Sequence, residues 1–287
     1  MMRLGVITDE VSQNIDIAVQ FSKEFGLNGV ELRTVEDKSI DGISPTRLRE
    51  ISAVIRNSGL SVCNLSSSFF KCSLDSRTEI KQNIEKLKRL IEAAHLLQCD
   101  SIRGFSFFDT GEFDERFDDI CEKFARPAEL CQKEGLSLLL EADPSVFTTN
   151  CKRLAKLLNA LDNPVFGAIY DPGNDIFDPH GEQPFPDGFN VVKPFIRHVH
   201  IKDAVIQDGK PRSVKVGTGN VPYPLILAVL STMNYDGYLV LETHYRLHAE
   251  LTDEMLKLPG GQQFSLNAEE ASRESMAELI KLASHYV

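Results

Sequence analysis

Eight short, mostly apolar runs recur along the 287-residue chain, and a helix-like stretch separates each from the next. The runs are Leu4–Thr8, Gly29–Arg33, Ser61–Leu65, Ser101–Phe105, Ser137–Ala142, Val165–Asp171, Ile196–Lys202 and Gly237–Thr243. Runs of Val, Ile and Leu without strict polar alternation are the pattern of strands buried on both faces, as in parallel sheets. Strand-then-helix order to the end of the chain requires crossovers and therefore a parallel sheet. Eight such units are the number that closes a barrel, and the length suits a (β/α)8 domain of roughly 250 residues. No early GxGxxG fingerprint favours an open doubly wound sheet. The sequence thus predicts an α/β chain: a single (β/α)8 TIM barrel over residues 1–287, with long loops after strands 6 and 8 and a C-terminal helix.

Helix punctuation supports that order. Helical patterns start near Asn14, Pro45, Ser76, Asp114, Thr148, Asp187 and Val221, and a final one runs from about Asn267 to Tyr286. Ser44 reads as an N-cap with Pro45 at the first helical position. Asn267 reads as a cap with Glu269 and Glu270 in the first turn, where the helix dipole favours acids. Gly26, Gly59 and Gly135 each end a helical pattern before a strand. Two stretches break the rhythm: Pro172–Asn190 after the sixth strand and Tyr245–Leu266 after the eighth. In a barrel both fall on the face where active sites are built, as lids or rims.

Charge and cysteine usage narrow the function. With 31 basic and 42 acidic residues, the net charge of −11 argues against a nucleic-acid partner, which would want a basic face. No run approaches the ~20 apolar residues of a membrane span, and the N-terminal MMRLGVITDE reaches charge too soon for a signal peptide. The six cysteines form no CxxC pair and read as reduced thiols of a cytoplasmic protein.

The chemistry sits at the ends of four successive runs. Glu141 closes LSLLLE, Asp171 closes VFGAIYD, His200 lies in FIRHVHIKD, and Glu242 closes GYLVLE. Three carboxylates and an imidazole converging on one barrel mouth suit one divalent metal ion, Mn²⁺, Mg²⁺, Co²⁺ or Zn²⁺. Without a cation they would repel one another and resist ionisation. Side-chain alternation puts His198, His200 and Lys202 on one face of the seventh strand, with His198 deepest, as a hydrogen-bonded core histidine, and Lys202 at the rim. Lys202 reads as a substrate contact. Glu31 reads either as a substrate contact or as the partner of Arg33. Arg103 joins the residues that shape the pocket, and His95, His180 and His248 lie outside it.

These residues resemble the xylose isomerase-like TIM-barrel superfamily, in its sugar phosphate isomerase/epimerase branch. The resemblance rests on GVELR at 29–33, LLLEAD at 138–143, YDPGN at 170–174, HVHIKD at 198–203 and, most specifically, VGTGNVPYPLILAVLSTMNYDGYLVLE at 216–242. It implies that Glu141, Asp171, His200 and Glu242 are the metal ligands and that Glu141 and Glu242 also exchange the substrate proton. Many members carry histidine where this chain has Asn174, which can bind a hydroxyl but cannot take a proton. The implied enzyme is a metal-dependent isomerase or epimerase of carbohydrate metabolism, moving a proton next to a carbonyl through a metal-stabilised enediolate. Its partner is a small carbohydrate, and a homo-oligomer is compatible with the sequence.

Three other functions compete. A sugar or inosose dehydratase on the same scaffold begins with the same carbanion. DNA repair of the endonuclease IV type needs extra histidines, and CNLSSS, RGFSFF and YDPGN have none. A binding protein on this fold would not need four intact ligands.

Overall fold

The computed structural model describes residues 1–287. Its eight parallel strands are β1 (Arg3–Ile7), β2 (Gly29–Leu32), β3 (Ser61–Phe69), β4 (Ser101–Gly104), β5 (Ser137–Glu141), β6 (Phe166–Tyr170), β7 (Ile196–Ile201) and β8 (Tyr238–Leu241). Each pairs with its neighbours in chain order, and β8 returns to β1, closing the barrel. Seven strands begin and end within two residues of the predicted runs. The exception is β3, which runs on to Phe69 and pairs it with Gly104. The Ser66–Ser68 stretch carries no apolar signal, so only the backbone pairing reveals the extra length.

The principal crossover helices are α1 (Ile15–Glu24), α2 (Pro45–Asn57), α3 (Arg77–Leu97), α4 (Phe117–Lys123), α5 (Ala125–Glu134), α6 (Cys151–Leu161), α7 (Pro172–Ile176), α8 (Phe189–Val192) and α9 (Tyr223–Thr232). Two short helices, α10 (Asp253–Lys257) and α11 (Gly261–Ser265), interrupt the segment after β8 before α12 (Ala268–Ala283). Ser44 accepts the Arg47 N–H as the predicted cap of α2. Gly26, Gly59 and Gly135 take the left-handed conformation, with φ of 64°, 76° and 70°, that a chain leaving a helix needs. Asn267 is a correction: it has φ 56° and makes no side-chain cap bond. Leu266 alone separates it from α11, so it serves as a left-handed joint between two helices.

The apolar residues form a shell between strands and helices. Val30, Leu32, Val199 and Ile201 belong to this main core. A separate small cluster, Ile7, Cys63, Tyr238 and Val240, includes two register neighbours of polar residues: Ile7 of Glu31, and Val240 of His200. Paired residues share a face, so the barrel lumen is apolar in part and polar toward the strand tips.

Two hairpins are additions the sequence pattern did not predict. One, Thr34–Val35 with Lys38–Ser39, follows β2, and the other, Asp203–Gln207 with Lys210–Val214, follows β7. The second is anchored by Asp203. Its carboxylate accepts four backbone N–H groups, from Ala204 and Val221 on Oδ1 and from Gly217 and Gly219 on Oδ2, at 2.9–3.2 Å. A Cβ at Gly219 would lie 2.1 Å from Asp203 Oδ1, which is why the loop needs glycine there. The KD and GTGNV motifs are thus two halves of one anchored turn.

Candidate metal centre at the barrel mouth

Adjacent strand ends deliver the site. Glu141 is the last residue of β5, Asp171 directly follows β6, His200 lies one residue before the end of β7, and Glu242 directly follows β8. Asp171 also caps α7, its Oδ1 accepting the N–H groups of Gly173 and Asn174. Each of the four residues offers a donor atom within 4.8 Å of the other three. All are buried, with His200 wholly inaccessible.

His200 decides what the set can hold. Its Nε2 lies 3.1–3.2 Å from the Glu31 carboxylate, and its Nδ1 lies 2.9 Å from Glu141 Oε1 and 3.2 Å from Glu242 Oε2. With the proton on Nε2 donated to Glu31, the Nδ1 lone pair faces two carboxylate oxygens. Three lone-pair donors at that spacing require a proton or a metal ion among them. In the metal-free protein the proton is favoured: burial opposes it, but Glu31, Glu141 and Glu242 together push the His200 pKa well up. A bound ion would replace that proton. Glu31 would then fix ring orientation and tautomer, as carboxylates behind metal-bound histidines do.

Protein cations surround the acids. Lys202 Nζ stands 2.8 Å from Asp171 Oδ2, 3.1 Å from Glu242 Oε2 and 3.0 Å from Asn174 Oδ1. Arg33 Nη1 lies 2.6 Å from Glu242 Oε1, and Arg103 Nη1 lies 2.9 Å from Glu141 Oε2 and 3.5 Å from Glu242 Oε1. The network continues through Asp9 and Glu10 on Arg33, and through Arg246 on Glu10. Six carboxylates (Asp9, Glu10, Glu31, Glu141, Asp171 and Glu242) therefore face four permanent cations (Arg33, Arg103, Lys202 and Arg246), all buried. With histidines neutral, two negative charges remain uncompensated, the charge of one divalent ion. The donors, their spacing and this deficit fit such an ion.

The carboxylates divide by environment. Burial raises the pKa of Glu242, but Lys202, His244 and His200 outweigh it and hold the group well below the usual range. Glu141 is likewise lowered, with Arg103 and His200 outweighing burial. Asp171 goes the other way, to about 6, because burial and the charges of Glu141 and Glu242 exceed the help from Lys202.

The four residues read from the sequence as substrate contacts all border this set, and all hold protein partners. Glu31 bonds His198 (2.7 Å), His200 and Asn64 (2.8 Å). The Glu31–Arg33 pair does not form: Arg33 lies beyond the end of β2 and turns to Asp9, Glu10 and Glu242. Asn174 donates to the Ala142 carbonyl and accepts from Lys202. Arg103 also donates to the Ser66 and Ser67 carbonyls. His198 is the deep, hydrogen-bonded histidine that alternation predicts. His180 and His248 are exposed, and half-exposed His95 pairs with Glu134. Sequence reasoning missed Asp9 and Glu10, although VITDE ends a strand-like run in acids just as three of the four candidate-ligand runs do.

The segment after β8 lies over the mouth. Lys71 Nζ bridges Asp143 Oδ2 and the Lys257 carbonyl at 2.8 Å each, and Thr34 Oγ1 accepts the Gly261 N–H. The Phe264 ring lies 4.6 Å from the Arg33 guanidinium and 4.9 Å from that of Arg246. Between this segment and the 203–214 hairpin lies a cavity of about 630 Å³ that reaches His244 and Arg246, beside Glu242. Another of about 370 Å³ opens at the opposite end of the barrel, around Arg3, Arg197 and Tyr238. The first is the one next to the strand tips, where barrel chemistry is built.

Comparison with known proteins agrees with this architecture. A family model described as xylose isomerase-like TIM barrel matches residues 19–282. Among curated proteins, inosose dehydratase of Clostridium perfringens is 24% identical over 149 residues, 45% of this chain and 48% of that protein. Inosose dehydratase of Klebsiella pneumoniae is 23% identical over 209 residues, 64% of this chain and 70% of that protein. The match thus spans about half the length of the first relative. Among solved structures, a xylose isomerase domain protein from Planctomyces limnophilus superposes with a TM-score of 0.75 at 15% identity, covering 99% of this chain and 97% of its own. D-psicose 3-epimerase with D-tagatose from Clostridium cellulolyticum gives 0.73 at 14%, covering 99% of both chains. A xylose isomerase-like TIM-barrel protein from Mycobacterium smegmatis in complex with magnesium gives 0.63 at 16%, covering 92% and 89%.

Proposed function

Because the chain belongs to the xylose isomerase-like TIM-barrel family, we propose that it is a divalent-metal-dependent isomerase or epimerase of a sugar or sugar phosphate. One observation carries the reading: Glu141, Asp171, His200 and Glu242 bring donor atoms within 4.8 Å of one another at the strand tips. In this reading those four hold the ion. The ion supplies, when bound, polarisation of the substrate carbonyl and charge balance for the enediolate.

The protein's residues do the rest. Glu141 and Glu242 flank His200 Nδ1 and are the proton carriers, one removing the proton beside the carbonyl and the other returning it. A base must be ionised at working pH, and the cations around both residues keep them so. A positioned base contributes about 10²–10⁴-fold. Lys202 Nζ is the group placed to donate to a developing oxyanion, and Arg33 and Arg103 hold the two carriers in register. The segment over the mouth limits water.

A dehydratase is the second reading, favoured by the inosose dehydratase relatives. Both reactions start with the same proton removal. The test is to incubate keto-sugars and inososes with the enzyme and Mn²⁺ in deuterated water. Deuterium in recovered sugar with every hydroxyl retained supports isomerase/epimerase chemistry. Deuterium with loss of a hydroxyl shifts the assignment to the lyase. No exchange from any of these substrates, with or without metal, removes both.

A further inference from the structure

A second group of ligand-type side chains lies where the first residue of α6 meets the far end of α7 and the segment beyond it. Cys151, Asp175 and Glu182 each place one donor atom within 4.8 Å of the other two. Cys151 Sγ stands 3.3 Å from Asp175 Oδ2. Both Glu182 oxygens lie 3.2 Å from the Lys152 N–H at the start of α6. Asp178 is alongside, its Oδ2 accepting from Asn150 Nδ2 (3.2 Å) and from the Glu182 N–H (3.0 Å).

Charge sets this cluster apart from the barrel mouth. The mouth interleaves its acids with Arg and Lys, whereas no Lys or Arg side chain pairs with Asp175, Asp178 or Glu182. Asp175 is 1% exposed, and its Oδ1 has no hydrogen-bond partner. Asp178 Oδ1, also buried, has none either. A carboxylate so deeply buried needs a proton or a cation. No N–H or O–H donor reaches Asp175 Oδ1, and the one donor on Oδ2 is the weak Cys151 thiol, so the protein offers little to offset a charge there. Burial first, and then Glu182, push Asp175 far above its ordinary range, with Asp171 and Asp178 adding to the effect. Gly188 closes the far side, where a Cβ would lie 2.9 Å from Glu182 Oε2 and 3.0 Å from Asp175 Oδ2.

We propose that Cys151, Asp175 and Glu182 hold a second divalent cation, of the borderline class that takes thiolate together with carboxylate, with Zn²⁺ the best match. Zn–S near 2.3 Å and Zn–O near 2.1 Å put sulfur and oxygen roughly 3.6 Å apart around a tetrahedral ion. The 3.3 Å observed between Cys151 and Asp175 is close to that spacing. Loading displaces the thiol proton to solvent. Glu182, half-buried, forms the edge through which an ion enters. The role is structural. Asp175 is the fourth residue of α7, whose cap is Asp171, so an ion here braces the turn that aims Asp171 and Asn174 at the mouth. The ligands are 24 and 7 residues apart, which is why no sequence spacing exposes them.

Cobalt(II) separates this site from the mouth, because the mouth set contains no sulfur and only a thiolate gives the near-ultraviolet charge-transfer band. Full-length protein, stripped with a chelator and dialysed, is titrated with Co²⁺ and then with Zn²⁺. The expected result is a Co²⁺ thiolate band that saturates at one thiolate-bound ion per chain and is displaced by Zn²⁺, loss of the band in Cys151→Ser, and at least tenfold weaker Co²⁺ binding, read on that band, in Asp175→Asn and in the half-buried Glu182→Gln. No thiolate band in the wild type, or the same band in Cys151→Ser, overturns the proposal. Either outcome leaves the barrel-mouth reading untouched.

Discussion

Glu31 shows how much a buried side chain can decide without meeting substrate. It is fully enclosed and spends its oxygens on His198, His200 and Asn64. In the proposed site its effect passes through His200, whose Nδ1 lone pair faces the ion only while Nε2 donates to Glu31. Glu31→Gln is therefore expected to weaken divalent-ion affinity about 10–100-fold while the fold is kept, read by metal titration alongside circular dichroism. An unchanged affinity would remove Glu31 from the mechanism. Glu141→Gln and Glu242→Gln are each expected to slow solvent-deuterium exchange by about 10²–10⁴-fold, since each removes a proton carrier as well as a ligand. Burial pushes the Cys131 thiol up to about 12. The unfolded thiol ionises near its ordinary pKa of about 8.5–9, so from there up to about 12 the unfolded state loses protons that the folded state keeps. Stability contributed by this group is thus present below that window and lost as pH rises through it. Urea midpoints should fall across the alkaline limb, and Cys131→Ala should flatten the fall; an identical slope would mean the thiol does not contribute.

At the scale of elements, loops rather than strands carry the unexpected work. The 203–214 hairpin and the 215–222 turn are joined through one carboxylate, Asp203, that serves four backbone N–H groups. Asp203→Ala leaves those donors buried and unpaired, and a loss of about 3–5 kcal/mol is expected in denaturant unfolding. A loss under about 1 kcal/mol would mean water replaces the carboxylate. The same hairpin walls the cavity beside His244, so the substitution should also raise KM. Strand positions were legible because continuous Val, Ile and Leu runs bounded by Gly, Asp and Asn leave little choice of element. The hairpins were not, because DAVIQDGKPRSV is short, mixed and exposed on one edge. The extension of β3 to Phe69 was hidden for another reason: Ser66–Ser68 carry no apolar signal, the register breaks between Leu65 and Phe69, and only the pairing of Phe69 with Gly104 resumes the strand.

For the molecule as a whole, the barrel concentrates charge that no separate segment could tolerate. Its mouth network carries two more buried carboxylates than permanent cations, so the folded state should bind a divalent ion that the unfolded state does not. At an ion concentration a thousandfold above Kd this linkage is worth about 4 kcal/mol, and chelation should lower Tm by roughly 5–10 °C. A Tm indifferent to chelator and to added Mn²⁺ would argue that protons alone balance the network. The sequence by itself determined the eight-stave barrel, its order and the strand tip on which each proposed ligand stands, because periodicity and punctuation are local and survive without the fold. Only the tertiary structure decided which cations lie against which acids, that Glu31 backs His200 instead of pairing with Arg33, and that Cys151, Asp175 and Glu182 share one buried corner. Those are contacts between residues far apart in the chain. Their energies depend on burial and on distances of a few ångströms, which appear only once the strands have closed.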